Sequence, residues 1–264
     1  MVLPPAAVTV RSHVTAIITG ASSGLGKEFA RQVRDVFPEI QCLWLIARRA
    51  ERLQQLAAAL PGVVVKPISL DLTAADACDQ LTELLEAEQP EVSLLINCAG
   101  CGIWGSFDES NLEEQLRMID LNIRALTAVT RTVLPHIPSG GRIINISSIA
   151  SFVPNARMSV YSASKAYVSF FSRGLYEELR PRKIAVTAVC PGPMETEFLS
   201  VGRITGNSKT FDRLPYCNPK KVVRGSLVAS KKGQAVHTPR GFYKFYRVLS
   251  GLVPHAILVH AAKT

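Results

Sequence analysis

Long apolar runs are missing from this 264-residue chain: none reaches the roughly 18 residues that a helix needs to cross a bilayer. The N-terminal stretch MVLPPAAVTVRSH lacks an early positive charge followed by an apolar core, so it does not read as a signal peptide. Cysteines are few and scattered (Cys42, Cys78, Cys98, Cys101, Cys190, Cys217), which suits reduced thiols in a cytoplasmic protein better than a disulfide framework. The five histidines show no metal-ligand spacing, so no metal is expected, and no GxSxG is present for a hydrolase triad. Zinc spacing, an RNA-binding signature and a basic zipper are all absent, so no nucleic-acid partner is expected. Acidic residues are almost missing from the last quarter. Residues 201–264 hold 12 Lys and Arg against one acid, Asp212, a net +11, whereas the first 200 residues net −2.

What is present is core-forming material. Hydrophobic residues make up 47% of the chain and charged residues 19%, which argues against disorder. Seven apolar, β-branched runs read as strands: HVTAIITG, QCLWLIA, GVVVKPISL, VSLLINCAG, GRIINISS, IAVTAVCPG and GQAVHTP. Most are apolar on successive residues, as expected of parallel strands covered on both faces. Helical patterns lie between them, among them KEFARQVRDVF, AERLQQLAAAL, AADACDQLTELLEAE and NLEEQLRMIDLNIRALTAVTRTVL. This alternation predicts an α/β fold, a Rossmann-type doubly wound parallel seven-stranded sheet with helices on both faces. No linker or repeat divides the chain, so residues 1–264 are expected to form one catalytic domain, with 201–264 as its basic, helical cap and C-terminal extension.

In such sheets ligands bind beyond the carboxyl ends of the strands. After the first strand comes TGASSGLGKEFA, where Gly20, Gly24 and Gly26 permit a sharp turn and close approach of backbone N–H groups to a pyrophosphate. It is not a Walker A loop, because Ala21 takes the first glycine position and Glu28 follows Lys27. The second strand ends LIARRAERL. An NAD site wants a carboxylate there, yet no acid occurs from Leu43 to Ala50 and Arg48 and Arg49 stand instead. Guanidinium groups suit the extra 2′-phosphate of NADP, and cations at a helix N-terminus are otherwise disfavoured by the helix dipole.

The run SVYSASKAYVSFF places Tyr161 and Lys165 four apart, on one face of a helix. A free tyrosine titrates near pH ~10, and a nearby cation stabilises the phenolate, so the pair can serve as a proton-transfer group. A lone YxxxK is more often a solvated helix face; its context decides.

Together these motifs resemble the compact single-domain branch of the short-chain dehydrogenase/reductases over about residues 14–200. TGxxxGxG is met by Thr19 to Gly26, NNAG appears as NCAG from Asn97 to Gly100 with Cys98 in place of the second Asn, and PGPMET matches PGxxxT. The Cys98–Cys101 CxxC has no accompanying redox or metal spacing and reads as incidental.

The resemblance implies a tetrad of Asn122, Ser148, Tyr161 and Lys165. Tyr161 would give or take the proton, Lys165 would lower the Tyr pKa and bind the nicotinamide ribose, and Ser148 would hydrogen-bond the substrate oxygen. Asn122 would bend its helix and hold a water, and Ser147 would lie beside the cofactor. The implied NADP(H) site comprises Gly20, Ser22, Ser23, Gly24, Leu25 and Gly26 at the phosphates, Arg48 and Arg49 at the 2′-phosphate, and Asp71 and Leu72 near the adenine. It continues through Asn97, Ala99, Gly100, Tyr161, Lys165, Pro191, Gly192 and Thr196.

The family's substrate pocket comes from the segment after strand six, here METEFLSVGRITGNSKTF, and from the C-terminus, both rich in apolar residues. The expected activity is interconversion of a ketone and a secondary alcohol on a lipophilic substrate, with a hydroxysteroid or a 3-oxoacyl compound as the best matches. The alternative is a non-catalytic NADP-binding sensor or scaffold, against which the complete tetrad argues. A homodimer or homotetramer is also expected. In the tail, Phe242, Phe245, Tyr246, Leu249 and Val253 form a stripe at helical spacing, to be covered by the pocket, a second subunit or a membrane surface.

Overall fold

The computed structural model describes residues 13–204 and 212–261. Seven strands form one all-parallel sheet in the order β3-β2-β1-β4-β5-β6-β7. They are β1 Val14–Thr19, β2 Cys42–Ala47, β3 Val64–Ser69, β4 Glu91–Asn97, β5 Arg142–Ile146, β6 Ala185–Val189 and the two-residue β7 Val236–His237. The order reverses between β1 and β4, so a cleft opens at their carboxyl ends. The central strands are buried along nearly their whole length, as their unbroken apolar runs demand. β3 departs from that pattern, with only Ile68 buried, because it is an edge strand; the edge also tolerates Pro67, which cannot donate to a ladder.

Helices α1 (Gly24–Val36), α2 (Ala50–Ala58) and α8 (Pro219–Lys231) pack one face of the sheet through residues such as Phe29, Leu53 and Val223. The other face takes α3 (Ala77–Glu88), α5 (Leu126–Val133) and α6 (Ser159–Leu179) through Leu81, Val129 and Leu175. Two caps follow from their residue types: the Asn111 side chain accepts from the Glu114 amide at the start of α4 (Leu112–Ile119), and the Asn218 side chain accepts from the Lys221 amide ahead of α8. α7 (Glu197–Val201) follows β6, and α9 (Gly241–Leu252) and α10 (His255–Ala261) end the described chain.

The helical pattern expected from Asn111 to Leu134 is not one regular helix. Residues Asp120–Ala125, including Asn122, widen to π-helical pairing. The resemblance implied a bend at Asn122, and this is its form, since its side chain bonds outside the helix.

The tail differs from the expected stripe. Tyr243 and Ser250 are the buried residues of α9, Tyr246, Leu249 and Val253 are half-buried, and Phe242 and Phe245 face outward. Tyr243 sets the rotation: its ring lies where a Gly192 side chain would be, and its hydroxyl donates to the Pro215 carbonyl at 2.8 Å. Among the described residues, no helix is long and apolar enough to cross a membrane.

Candidate active site

The turn after β1 is built by close backbone approach. Gly20 has φ +67°, and a Cβ there would lie 2.8 Å from Ala99 backbone atoms; a Cβ on Gly26 would lie 2.3 Å from the Gly20 carbonyl oxygen. Thr19 pins the β4 end to this turn, its Oγ1 accepting from the Cys98 and Ala99 amides at 3.0 and 3.1 Å. α1 begins at Gly24 with Ser23 as an N-cap that makes no side-chain hydrogen bond, and its first turn carries no acid. The helix therefore presents uncapped N–H groups and its positive end to the cleft.

Two arginines stand beside that turn. Arg49 Nε and Nη2 donate to Ser22 Oγ at 3.2 and 3.1 Å, which ties the guanidinium to the glycine loop. Arg48 lies 3.8 Å from Asp71 Oδ2. Burial alone would raise the Asp71 pKa, but hydrogen bonds from the Thr73 hydroxyl and amide, with Arg48 nearby, outweigh it and hold the carboxyl below its usual range. Leu72, after β3, and Ala99, after β4, line one small cavity together with Thr19 and Asn97.

Across the switch point, Tyr161 and Lys165 share the buried face of α6. Ser148 stands beside Tyr161, whose pKa it lowers, and its hydroxyl accepts from the Ala150 amide at 3.1 Å. Lys165 Nζ lies 5.8 Å from the Tyr161 ring centre and donates to the Ile146 carbonyl at 3.0 Å. Asn122 clamps the β4 loop: its Oδ1 accepts from the Cys101 amide at 2.9 Å, and its Nδ2 donates to the Cys101 carbonyl and to Ser164 Oγ. Gly100 lies between Asn122 and Lys165, and a Cβ there would be 3.0 and 3.2 Å from their polar ends. The structure thus brings all four tetrad positions to one place, at the carboxyl ends of β4 and β5.

One expectation needs correction, and two residues turn their side chains away from the cleft. Tyr161 is not made more acidic by Lys165: burial pushes its pKa up to about 12, only partly opposed by the Ser148 hydrogen bond. Burial likewise brings Lys165 down to about 8. Ser147 turns its hydroxyl inward, donating to the Lys165 carbonyl at 2.8 Å with Ser169 Oγ at the same distance, so only its backbone is left to meet a cofactor. Asn97 spends its amide inside the sheet, donating to Asn145 Oδ1 and Thr130 Oγ1, so only its backbone can reach a bound nucleotide. That pair also ties β4 to β5 without the second Asn of NNAG.

The segment after β6 reaches over the cleft. Pro191 accepts from the Ile149 amide, Gly192 backs onto Tyr243, and Thr196 lies 3.8 Å from the Cβ position of Gly24. Thr196 opens α7, whose Phe198 packs on Tyr161 with ring centres 5.6 Å apart. Residues 205–211 of the expected pocket segment lie outside the described residues. Around Tyr161 gather Met118, Met158, Leu199 and Ile204, with Trp104 and Tyr216 packed against them. Phe198 belongs to the pocket segment expected after the sixth strand, whereas pattern reading singled out neither Trp104 nor Gly102, because an apolar wall carries no spacing signal. It gave no role to Glu197, which lies in the same segment directly after the PGxxxT motif.

The turn around Gly26, with the uncapped α1 end and the Ser22–Arg49 pair, fits a dinucleotide phosphate. Beside it, a buried phenol with a serine next to it can exchange a proton with a substrate oxygen. Among the described residues, no group of three or more His, Cys, Asp or Glu could hold a metal.

Known proteins share this sequence pattern and fold. The chain is 36% identical over 203 residues to serine 3-dehydrogenase of Agrobacterium fabrum, covering 76% of this chain and 79% of that one. A short-chain dehydrogenase from Sphingobium yanoikuyae in complex with NADPH superposes with a TM-score of 0.78 at 33% identity, covering 90% and 93% of the two chains. A bulky-bulky ketone specific alcohol dehydrogenase from Comamonas testosteroni superposes at 0.72 with 28% identity and the same coverage. The family model for short chain dehydrogenases matches residues 14–203, the span that carries the glycine turn, the four gathered side chains and the segment over the cleft. With the family model and these relatives in agreement over that span, this chain belongs to the short-chain dehydrogenase/reductase family of oxidoreductases.

Proposed function

We propose that the protein is an NADP(H)-dependent reductase of ketones with apolar substituents, running in reverse as a secondary-alcohol dehydrogenase. The observation that carries this reading is the position of Tyr161, buried between Ser148 and an apolar wall of Met118, Leu199, Ile204 and Phe198. Bound NADP(H) supplies or accepts the hydride. In the reductive direction Ser148 donates to the carbonyl oxygen and orients it, and Tyr161 delivers its proton as negative charge grows there. Lys165 holds positive charge beneath the site and offers its ammonium to the ribose hydroxyls. Asn122 keeps the β4 loop and Gly100 in place beside that ammonium.

Arg48 and Arg49 at the end of β2, one of them bonded to the glycine loop, support NADP over NAD. The NADPH complex of the Sphingobium relative supports the same choice. Purified protein should turn over members of a panel of hydroxysteroids, 3-oxoacyl compounds and bulky ketones, and prefer NADPH to NADH in matched kinetics. Serine belongs on the panel because of the Agrobacterium relative. Losing one charge-assisted contact costs about 1.5–3 kcal/mol, so Arg48→Ala should weaken NADPH binding at least about tenfold and leave NADH nearly unchanged. Preference of the wild type for NADH, or turnover of serine alone, would overturn the assignment.

The proposal extends to a membrane surface. Phe242, Phe245, Val248 and Leu252 line the outward face of α9, each more than half exposed, with Ile257 of α10 beyond them. Exposed Lys232 and Lys244 flank that face, within a tail of net charge +11. An apolar helix face among cations matches the interface of an anionic bilayer. The protein should sediment with phosphatidylserine-containing vesicles at low salt and be released as salt rises. Phe245→Glu with Leu252→Glu should abolish sedimentation, whereas removing residues 241–264 would also remove buried Tyr243. Recovery of the wild type in the supernatant as a dimer would assign the face to a subunit contact instead.

A further inference from the structure

Glu197 stands outside the pocket wall but meets the same guanidinium as the expected cofactor phosphate. Its carboxylate takes Arg49 Nη1 at 3.0 Å on one oxygen and Arg52 Nη1 at 2.6 Å on the other. These contacts join the first residue of α7 to the β2–α2 turn, about 150 positions earlier in the chain. Arg52 and Arg49 together hold the Glu197 carboxyl below its usual range. Arg49 at the same time bonds Ser22 of the glycine loop. Two guanidinium groups therefore hold one anion, one of them anchored to Ser22, and the anion belongs to the chain itself.

The position of α7 gives this pair a consequence. Phe198, next to Glu197, covers the Tyr161 ring and lies so close to Gly102 that a Cβ there would fall 2.6 Å from Phe198 Cζ. Just past α7, the Gly202 carbonyl accepts from the Trp104 amide at 2.9 Å. The helix is thus held at its start by Arg49 and Arg52 and at its end by the β4 loop, over the reacting phenol.

We propose that Glu197 competes with the 2′-phosphate of NADP(H) for Arg49, so that binding of the phosphorylated cofactor loosens α7 and, with it, the Phe198 cover on Tyr161. The proposal rests on the NADP(H) reading above. Two anions cannot share one guanidinium fork at full strength, and a carboxylate beside a phosphate dianion is repelled. Both side chains of the Arg49–Glu197 pair are more than two-fifths exposed, so the competition is a modest one.

The measurement is binding of NADPH and NADH to wild type and Glu197→Gln by nucleotide fluorescence, with tryptophan emission followed during titration with adenosine 2′,5′-bisphosphate. Glu197→Gln should bind NADPH roughly two- to fivefold more tightly, the scale of an exposed ion pair, while NADH binding stays the same. Emission from Trp104, one of only two tryptophans, should change when the bisphosphate binds wild type, and 5′-ADP should not produce the change. Equal tightening of both cofactors would mean simple opening of the cleft and would overturn the competition, as would unchanged or weaker NADPH binding beside a wild-type preference for NADPH. A wild type that binds NADPH no more tightly than NADH would overturn the 2′-phosphate reading itself, and this proposal with it.

Discussion

Tyr161→Phe should fold, bind NADPH about as well as wild type and lose roughly 10²- to 10⁴-fold in turnover, the range that general acid–base catalysis contributes. The substitution removes one hydroxyl and leaves the ring that packs against Phe198, so the wall of the pocket stays in place. Its protonation state explains the direction. Burial holds the phenol near 12, so at pH 7 it carries the proton that a reduced carbonyl needs. Lys165 sets the alkaline limit. Burial lowers its pKa to about 8, so its ammonium is complete below that pH and lost as pH rises through it. The rate of ketone reduction should therefore fall above about pH 8, and Lys165→Ala should reduce both NADPH affinity and rate at every pH. Turnover of Tyr161→Phe within a few-fold of wild type would place the proton donor elsewhere and remove the mechanism.

Gly26→Ala is expected to damage the fold and the nucleotide site together. The added methyl would lie 2.3 Å from the Gly20 carbonyl oxygen and 2.7 Å from its carbon, both backbone atoms that cannot rotate away. Either the turn or the start of α1 must move, and overpacking of this kind costs about 1–3 kcal/mol, occasionally more. For a chain of this size that is a fall of about 2–4 °C in melting temperature per kcal/mol. The displaced amides at the α1 end should weaken NADPH by about tenfold or more. Gly174→Ala is the control: it sits in α6 with nothing within 4 Å of a Cβ, and should be neutral or slightly stabilising. Wild-type melting and NADPH affinity in Gly26→Ala would show that the turn has room and that the close-approach argument is wrong.

The sequence by itself determined the seven strands, their parallel character and the order of the motifs, because apolar periodicity and glycine placement act locally along the chain. It also placed Asn122, Ser148, Tyr161 and Lys165 in one site, through motif spacing carried by a family resemblance. Tertiary structure decided what depends on distance and burial. Desolvation, which spacing does not encode, turned the expected fall of the Tyr161 pKa into a rise. The α6 surface drew Ser147 inward, and the packing of Tyr243 against Gly192 rotated the tail helix so that Phe242 and Phe245 face outward. Glu197 is the clearest case: it stands 148 residues from Arg49, and only the crossing of α7 over the cleft brings the two charges together.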